Sequence, residues 1–219
     1  ERTFYHAKTH GYLVENIIRK ITNLNLKEFF RINFFHKFNL NFNFGFENDD
    51  FKNTADLLEN NKIEKSQTDE FNAFNNPEHD VSFYNTKEWR LAGIPSMGGH
   101  GSALAVAQLY DLLSNDLRLN EKNIIAQSTF KEILTQSNNK VDESLKLPIK
   151  WTNSGFILRG GWMFGKNKEN FGHNGWGGSL GFADPINGMG ISYVTRKINS
   201  GMNADTRALK LIKKLYEFI

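Results

Sequence analysis

Apolar positions recur at four-residue spacing early in the chain, with Leu13, Ile17 and Ile21 on one line and Val14 and Ile18 beside it. That period predicts an amphipathic helix over Gly11 to Thr22, with Asn23 as a left-handed cap at its end. Asn25, followed three residues on by Glu28, has the spacing of a capping box and predicts a second helix from Leu26 to about Phe35. The period then changes. Phe42, Phe44 and Phe46 alternate with Asn41, Asn43 and Gly45, the pattern of a short half-buried strand. From Glu47 to about Glu88 the chain is polar and Asn-rich without a sustained period, so long surface loops are expected, with room for one helix over Thr54 to Asn60.

The glycine-rich run Gly93 to Gly101 reads as a loop feeding a helix capped by Ser102. Ala103 to Leu113 is apolar on most sides and is expected to be buried. Helical segments follow from about Glu121 to Thr135, then a polar link to Pro148. Phe156 to Phe164, Phe171 to Asp184 and Met189 to Ile198 read as a three-strand meander, the first connection being Lys166 to Asn170 and the second the Pro and Asn-Gly turn of Ala183 to Gly188. A helix from near Asn203 closes the chain, with Leu209, Ile212, Tyr216 and Ile219 on the face turned to the sheet. Helices first, antiparallel strands next and a terminal helix make an α+β class.

Composition narrows the functions. With 219 residues and 39% hydrophobic, the chain is long enough to bury a core as one domain. Lys and Arg exceed Asp and Glu by 27 to 24 and form no basic run, which argues against a nucleic-acid partner. No apolar run approaches the ~20 residues of a membrane helix. The chain begins at Glu1 without Met, so the lack of a leader is uninformative. With no Cys, disulfides, zinc-thiolate sites and cysteine catalysis are excluded, and the compartment is left open.

The densest chemistry lies in Phe171-Gly172-His173-Asn174-Gly175-Trp176-Gly177-Gly178-Ser179-Leu180-Gly181-Phe182, where small residues alternate with aromatic and apolar ones, and the segment reads as one arm of an antiparallel pair. His173-Asn174-Gly175, continued through Gly177 to Pro185, resembles the third motif of the serine β-lactamase-like superfamily, which holds class C β-lactamases, related carboxylesterases and penicillin-binding peptidases. The resemblance implies a β-lactamase/transpeptidase-like fold, with a helical lobe over 1–150 and the C-terminal part of the sheet-bearing lobe over 151–219, in one domain. It places His173 on an edge strand facing the pocket, lets substrate lie against Asn174 and Gly175, and makes the Trp176 N–H an oxyanion-hole donor.

The family's tyrosine motif resembles Phe4-Tyr5-His6-Ala7, which makes Tyr5 the proton shuttle. A phenol of ordinary pKa ≈ 10 is a poor base at neutral pH, so a neighbouring cation is expected to lower it. Ala7 stands where lactamases carry an Asn amide, which points away from lactams and towards esters. The family's Ser-x-x-Lys nucleophile precedes its tyrosine, so its counterpart is expected before Glu1 and the fold to be incomplete at the N-terminus. Two matches do occur within the chain, Ser128-Thr129-Phe130-Lys131 and Ser137-Asn138-Asn139-Lys140, but they follow Tyr5, and Ser128 reads as a helix cap.

No cofactor is implied, and no metal site either. His6 and His10 are four apart without a third ligand, His36, His79 and His100 read as solvated or capping residues, and Asp49-Asp50 and Asp69-Glu70 as solvated charge. The function expected is that of a serine hydrolase acting through an acyl-enzyme on a small ester, amide or lactam, this chain lacking the nucleophile. Its unpaired sheet edge makes self-association possible. The alternatives are a catalytically inactive scaffold or assembly protein that keeps the fold, and an unrelated α+β binding domain in which Tyr5 and His173 lie far apart.

Overall fold

A computed structural model describes residues 2–47, 50–59, 80–115, 117–119, 122–137, 140–199 and 205–219. Helix α1 spans His10–Thr22 and stops at Asn23, whose φ of 60° is left-handed and whose N–H donates to the Arg19 carbonyl. Its apolar face is not covered: Leu13, Ile17 and Ile21 are 60%, 58% and 77% exposed. Helix α2, Leu26–Phe30, opens on the full capping box of Asn25 and Glu28 and runs on as a π-helical turn over Arg31–His36. Strand β1, Phe42–Phe44, forms where the alternation of phenylalanines predicts it, although its buried residue is Asn43 and both phenylalanines are half-buried.

The helix expected over Thr54 to Asn60 is absent from the described part of that stretch. Leu58–Glu59 form strand β2 instead, and Asn60 lies outside the described residues. The reason is a long-range partner: the Asn85 side-chain amide bonds both the N–H and the C=O of Leu57, occupying groups a helix would have used. A short helix α3, Lys87–Ala92, then leads to strand β3, Gly99–Gly101, which pairs antiparallel with β1. The glycine loop is thus partly a strand. Helix α4, Ala103–Ser114, is capped by the Ser102 side chain as its sequence predicts, although Leu104 remains 69% exposed.

The helical reading from Glu121 is corrected by a hairpin, strands β4 (Arg118–Leu119) and β5 (Lys122–Asn123), after which helix α5 occupies Gln127–Leu134. Leu117 takes a positive φ of 58° and its carbonyl accepts from Ile124 N–H, a closure that ends helical propagation. The N-cap of α5 is Ala126, with no side-chain cap bond, so Ser128 lies inside the helix and is not its cap.

Strands β6 (Val141–Asp142) and β7 (Leu147–Pro148) form a second hairpin. The main sheet is antiparallel, in the order β11, β10, β9, β8, with β8 at Ile157–Leu158, β9 at Phe171–Asn174, β10 at Leu180–Asp184 and β11 at Met189–Tyr193. Phe171 to Asp184 is therefore two strands and not one. The chain reverses through a 3₁₀ turn over Trp176–Gly178, where Gly177 and Gly178 hold φ of 83° and 103°, a region that L side chains rarely enter. Beyond β11, strand β12, Lys197–Ile198, leaves the sheet and pairs in parallel with β2. Helix α6, Thr206–Leu215, begins on an Asp205 cap, and Asn203 lies outside the described residues.

Alternation in β10 assigns its two faces. Leu180 and Phe182 point into a core with Phe164, Ala208, Ile212 and Tyr216, so α6 covers that side. Gly181 points to α4, where an added Cβ would lie 2.3 Å from the Tyr110 ring. Ile219, expected on the α6 face, is 43% exposed because the helix has already ended.

Candidate active site

Tyr5 precedes α1 in an extended stretch held by strand β6: Thr3 bridges Asp142 in parallel and the Glu143 N–H donates to the Thr3 carbonyl at 2.8 Å. His173 arrives from the far end of the sequence on β9. Its strand is flanked by β10 and β8, so it is not an outer strand of the described sheet. Strand β8 pairs with Phe171 and Gly172, and its register stops short of His173. The two rings meet. Tyr5 and His173 have centroids 6.0 Å apart at 30°, and Trp151 lies against both, at 5.5 Å and 6° from Tyr5 and 5.8 Å and 30° from His173.

These rings form one wall of an open cleft of about 610 Å³ whose lining includes Ala7, Phe44, Ser96 and Phe156. Among the described residues lining it there is no Lys, Arg, Asp or Glu. Ala7 lines it with a methyl group and no polar side-chain atom. The Ser96 hydroxyl accepts the Gly11 N–H at 2.9 Å and ties α1 to the loop before β3.

His173 Nδ1 lies 2.7 Å from the Asn174 carbonyl. A carbonyl only accepts, so Nδ1 carries the proton and Nε2 keeps its lone pair. Burial pushes the imidazole pKa below its ordinary value, the Asn174 bond opposes this, and the nearby His10 adds to the lowering. The ring is therefore neutral at neutral pH. The Tyr5 phenol is pushed up, first by burial and then by the Asp142 carboxylate. The cation expected to lower it does not do so among the described residues.

Asn174, Gly175 and Trp176 lie where β9 turns away and do not line the cleft. Asn174 is buried, the Gly175 N–H donates to the Ser179 carbonyl at 2.6 Å, and the Trp176 ring packs edge-on to Tyr84 at 5.4 Å. Ser128 and Lys131 are exposed on α5 and do not line it either. Ser137 bonds the Trp151 carbonyl, while Asn138 and Asn139 lie outside the described residues.

Of the remaining groups, His6 and His10 stand at the cleft and His36 is exposed. His100 is not simply solvated: it packs on Phe46 at 4.3 Å and burial lowers its pKa. Asp50 is not lone charge, since Arg31 pairs with it at 2.8 Å. Asp49, Asp69, Glu70 and His79 lie outside the described residues. Among the described residues no three His, Asp or Glu are grouped to hold a metal ion, and no helix is long and apolar enough to cross a membrane.

Sequence reasoning missed Trp151 and Asp142. A single Trp beside Lys150 carries no periodic signal. Asp142 belongs to an Asp-Glu-Ser run whose visible signal is a turn, and its Oδ1 does accept the Ser144 and Leu145 N–H groups.

Three solved structures share this architecture. A family VIII carboxylesterase superposes with a TM-score of 0.88 at 25% identity, over 100% of this chain and 59% of its own. A penicillin-binding protein homologue from Caulobacter crescentus gives 0.83 at 28%, over 100% and 59%. EstA from Arthrobacter nitroguajacolicus Rue61a gives 0.81 at 23%, over 99% and 60%. The fold is thus the β-lactamase/transpeptidase-like one, and the chain spans about three fifths of the length of these neighbours. The Beta-lactamase family model matches residues 1–214, and the chain belongs to that family. Comparison with curated protein sequences gives no match.

Proposed function

We propose that the cleft is the tyrosine-and-imidazole side of a serine hydrolase site, acting on a small neutral ester or amide through an acyl-enzyme. The observation that carries this reading is the contact of the Tyr5 and His173 rings, 6.0 Å apart on one cleft wall although they come from opposite ends of the chain. In this scheme Tyr5 takes the proton of a serine hydroxyl as that oxygen bonds the substrate carbonyl carbon. It returns the proton to the departing alkoxide or amine as the C–O or C–N bond breaks, and water then releases the acyl group by the reverse path. Neutral His173 offers Nε2 to the phenol, and Asn174, Gly175 and the Trp176 N–H, which follow it beyond the described cleft lining, meet the substrate and the oxyanion only where the intact protein extends the site past this wall. The reading needs a nucleophilic serine from the intact protein other than Ser128 or Ser137, neither of which lines the cleft.

Substrate class follows from the walls. With no ionic side chain among the described lining residues and with Ala7 at the cleft, a neutral ester fits better than a lactam bearing a carboxylate. Residues 1–150 as a helical lobe and 151–219 as part of the sheet lobe, in one domain, belong to the same proposal, as does self-association through an outer sheet edge. The test is Tyr5→Phe in the intact protein with a chromogenic short-chain ester. Loss of kcat by about 100-fold or more with the fold retained supports the role, and unchanged hydrolysis overturns it.

A second reading, an inactive scaffold, draws on one observation: the Tyr5 phenol is pushed up by burial and a carboxylate, the wrong direction for a base. Absence of ester hydrolysis by the intact wild-type protein selects it.

A further inference from the structure

We propose that Asp142 is the positioning residue of this site, a buried carboxylate that holds the Tyr5 backbone and the Trp151 indole so that both rings face His173. Its catalytic consequence rests on the function proposed above; its structural role does not.

Asp142 is 1% exposed and does not line the cleft, so it touches no substrate. A buried carboxylate is costly unless its oxygens are satisfied, and among the described residues no cation pairs with this one. Four N–H groups satisfy it. Oδ1 accepts from Tyr5 at 3.2 Å, from Ser144 at 3.0 Å and from Leu145 at 3.0 Å, while Oδ2 accepts from Trp151 Nε1 at 3.2 Å. The two backbone bonds to Ser144 and Leu145 make a local turn, for which one oxygen suffices. The other two bonds reach outside the turn, to the two aromatic residues that stack at 5.5 Å and 6°.

The connections continue to His173. Trp151 is bridged to Ile157, and Ile157 on β8 pairs with Gly172, the residue before His173. Tyr5 is therefore tied through Asp142 and Trp151 to the strand that carries the imidazole, and the three stacked rings close the circuit. An indole bonded at Nε1 cannot turn in its plane, which fixes the surface on which the phenol lies. Placement at this tolerance matters because a shift of about 1 Å in a reacting group can cost about 100-fold in rate.

Asp142→Asn separates the two roles. Its side-chain oxygen keeps the three backbone N–H bonds and the turn, while its amide nitrogen meets the Trp151 N–H donor to donor. In the 219-residue chain, the expected results are a displaced Trp151 indole signal in the ¹H–¹⁵N spectrum, a changed ring-current shift of the His173 C–H protons, and a Tyr5 phenol that titrates at lower pH once the carboxylate charge is gone. Tyr5→Phe assigns the phenol signal. In the intact protein kcat for the ester falls about tenfold, with KM within about twofold. All three spectroscopic signals at their wild-type values overturn the proposal. Should Asp142→Asn fail to fold, Trp151→Phe keeps the ring and the carboxylate but removes the donor: moved Tyr5 and His173 signals support the proposal, and unmoved ones overturn it. Absence of ester hydrolysis in the wild type overturns the function proposed above, while the spectroscopic arms still decide the role of Asp142.

Discussion

The His173 ring is neutral because it is buried and because His10 is near, and this has a consequence for stability. An unfolded histidine titrates near 6.5 and the folded one lower, so between those values the unfolded chain binds more protons. Stability from this group is full above about pH 6.5 and is lost as pH falls through the folded pKa. Urea midpoints measured from pH 8 to pH 5 are expected to fall below about pH 6.5, and more shallowly in His173→Gln. His100, lowered by its own burial, supplies a further slope of the same sign. Sequence alone singled out Tyr5 and His173, because the resemblance carried them. It predicted the wrong direction for the phenol, since what faces Tyr5 is Asp142, a residue whose sequence neighbourhood signals only a turn.

At the scale of elements, the close approach of α4 to the sheet depends on two glycines. An added Cβ at Gly190 would sit 2.0 Å from the Ala107 carbonyl oxygen and 2.1 Å from the Asp111 nitrogen, both backbone atoms that cannot swing away. Gly190→Ala is expected to destabilise by about 1–3 kcal/mol in urea unfolding. Gly175→Ala, whose Cβ would meet only the Ser179 carbonyl oxygen at 3.4 Å, is expected to stay within about 0.5 kcal/mol. The same approach serves the site, because Tyr110 of α4 packs over Gly181, whose register partner on β9 is His173. The glycines of Gly172 to Gly181 were legible as a sign of tight approach, and Gly190 was not. Their division of labour was not, because a turn glycine at positive φ and a packing glycine at ordinary φ look alike in a sequence.

For the molecule as a whole, one core lies between the sheet and α6 and a second gathers Phe38, Leu40, Ala105 and Leu112, while Leu13, Ile17 and Ile21 of α1 stay exposed. Phe182→Ala, at a side chain with no exposure, is expected to cost about 3–5 kcal/mol, whereas Ile21→Ala, 77% exposed, is expected to change stability by less than about 0.5 kcal/mol. Paired urea titrations check both, and equal losses would place the core elsewhere. The sequence by itself determined the helix α1 with its Asn23 cap, the capping box of α2, strand β1, the Ser102 cap and the family, because caps, periods and motifs act within a few residues. Only the tertiary structure decided that Phe171 to Asp184 is a hairpin, that Leu57 and Asn85 replace a helix, and that the Tyr5 N–H reaches Asp142 across 137 positions to set the phenol beside His173. Those outcomes depend on which distant group satisfies a backbone N–H or fills the space above a glycine, and a local pattern of polar and apolar residues does not encode it.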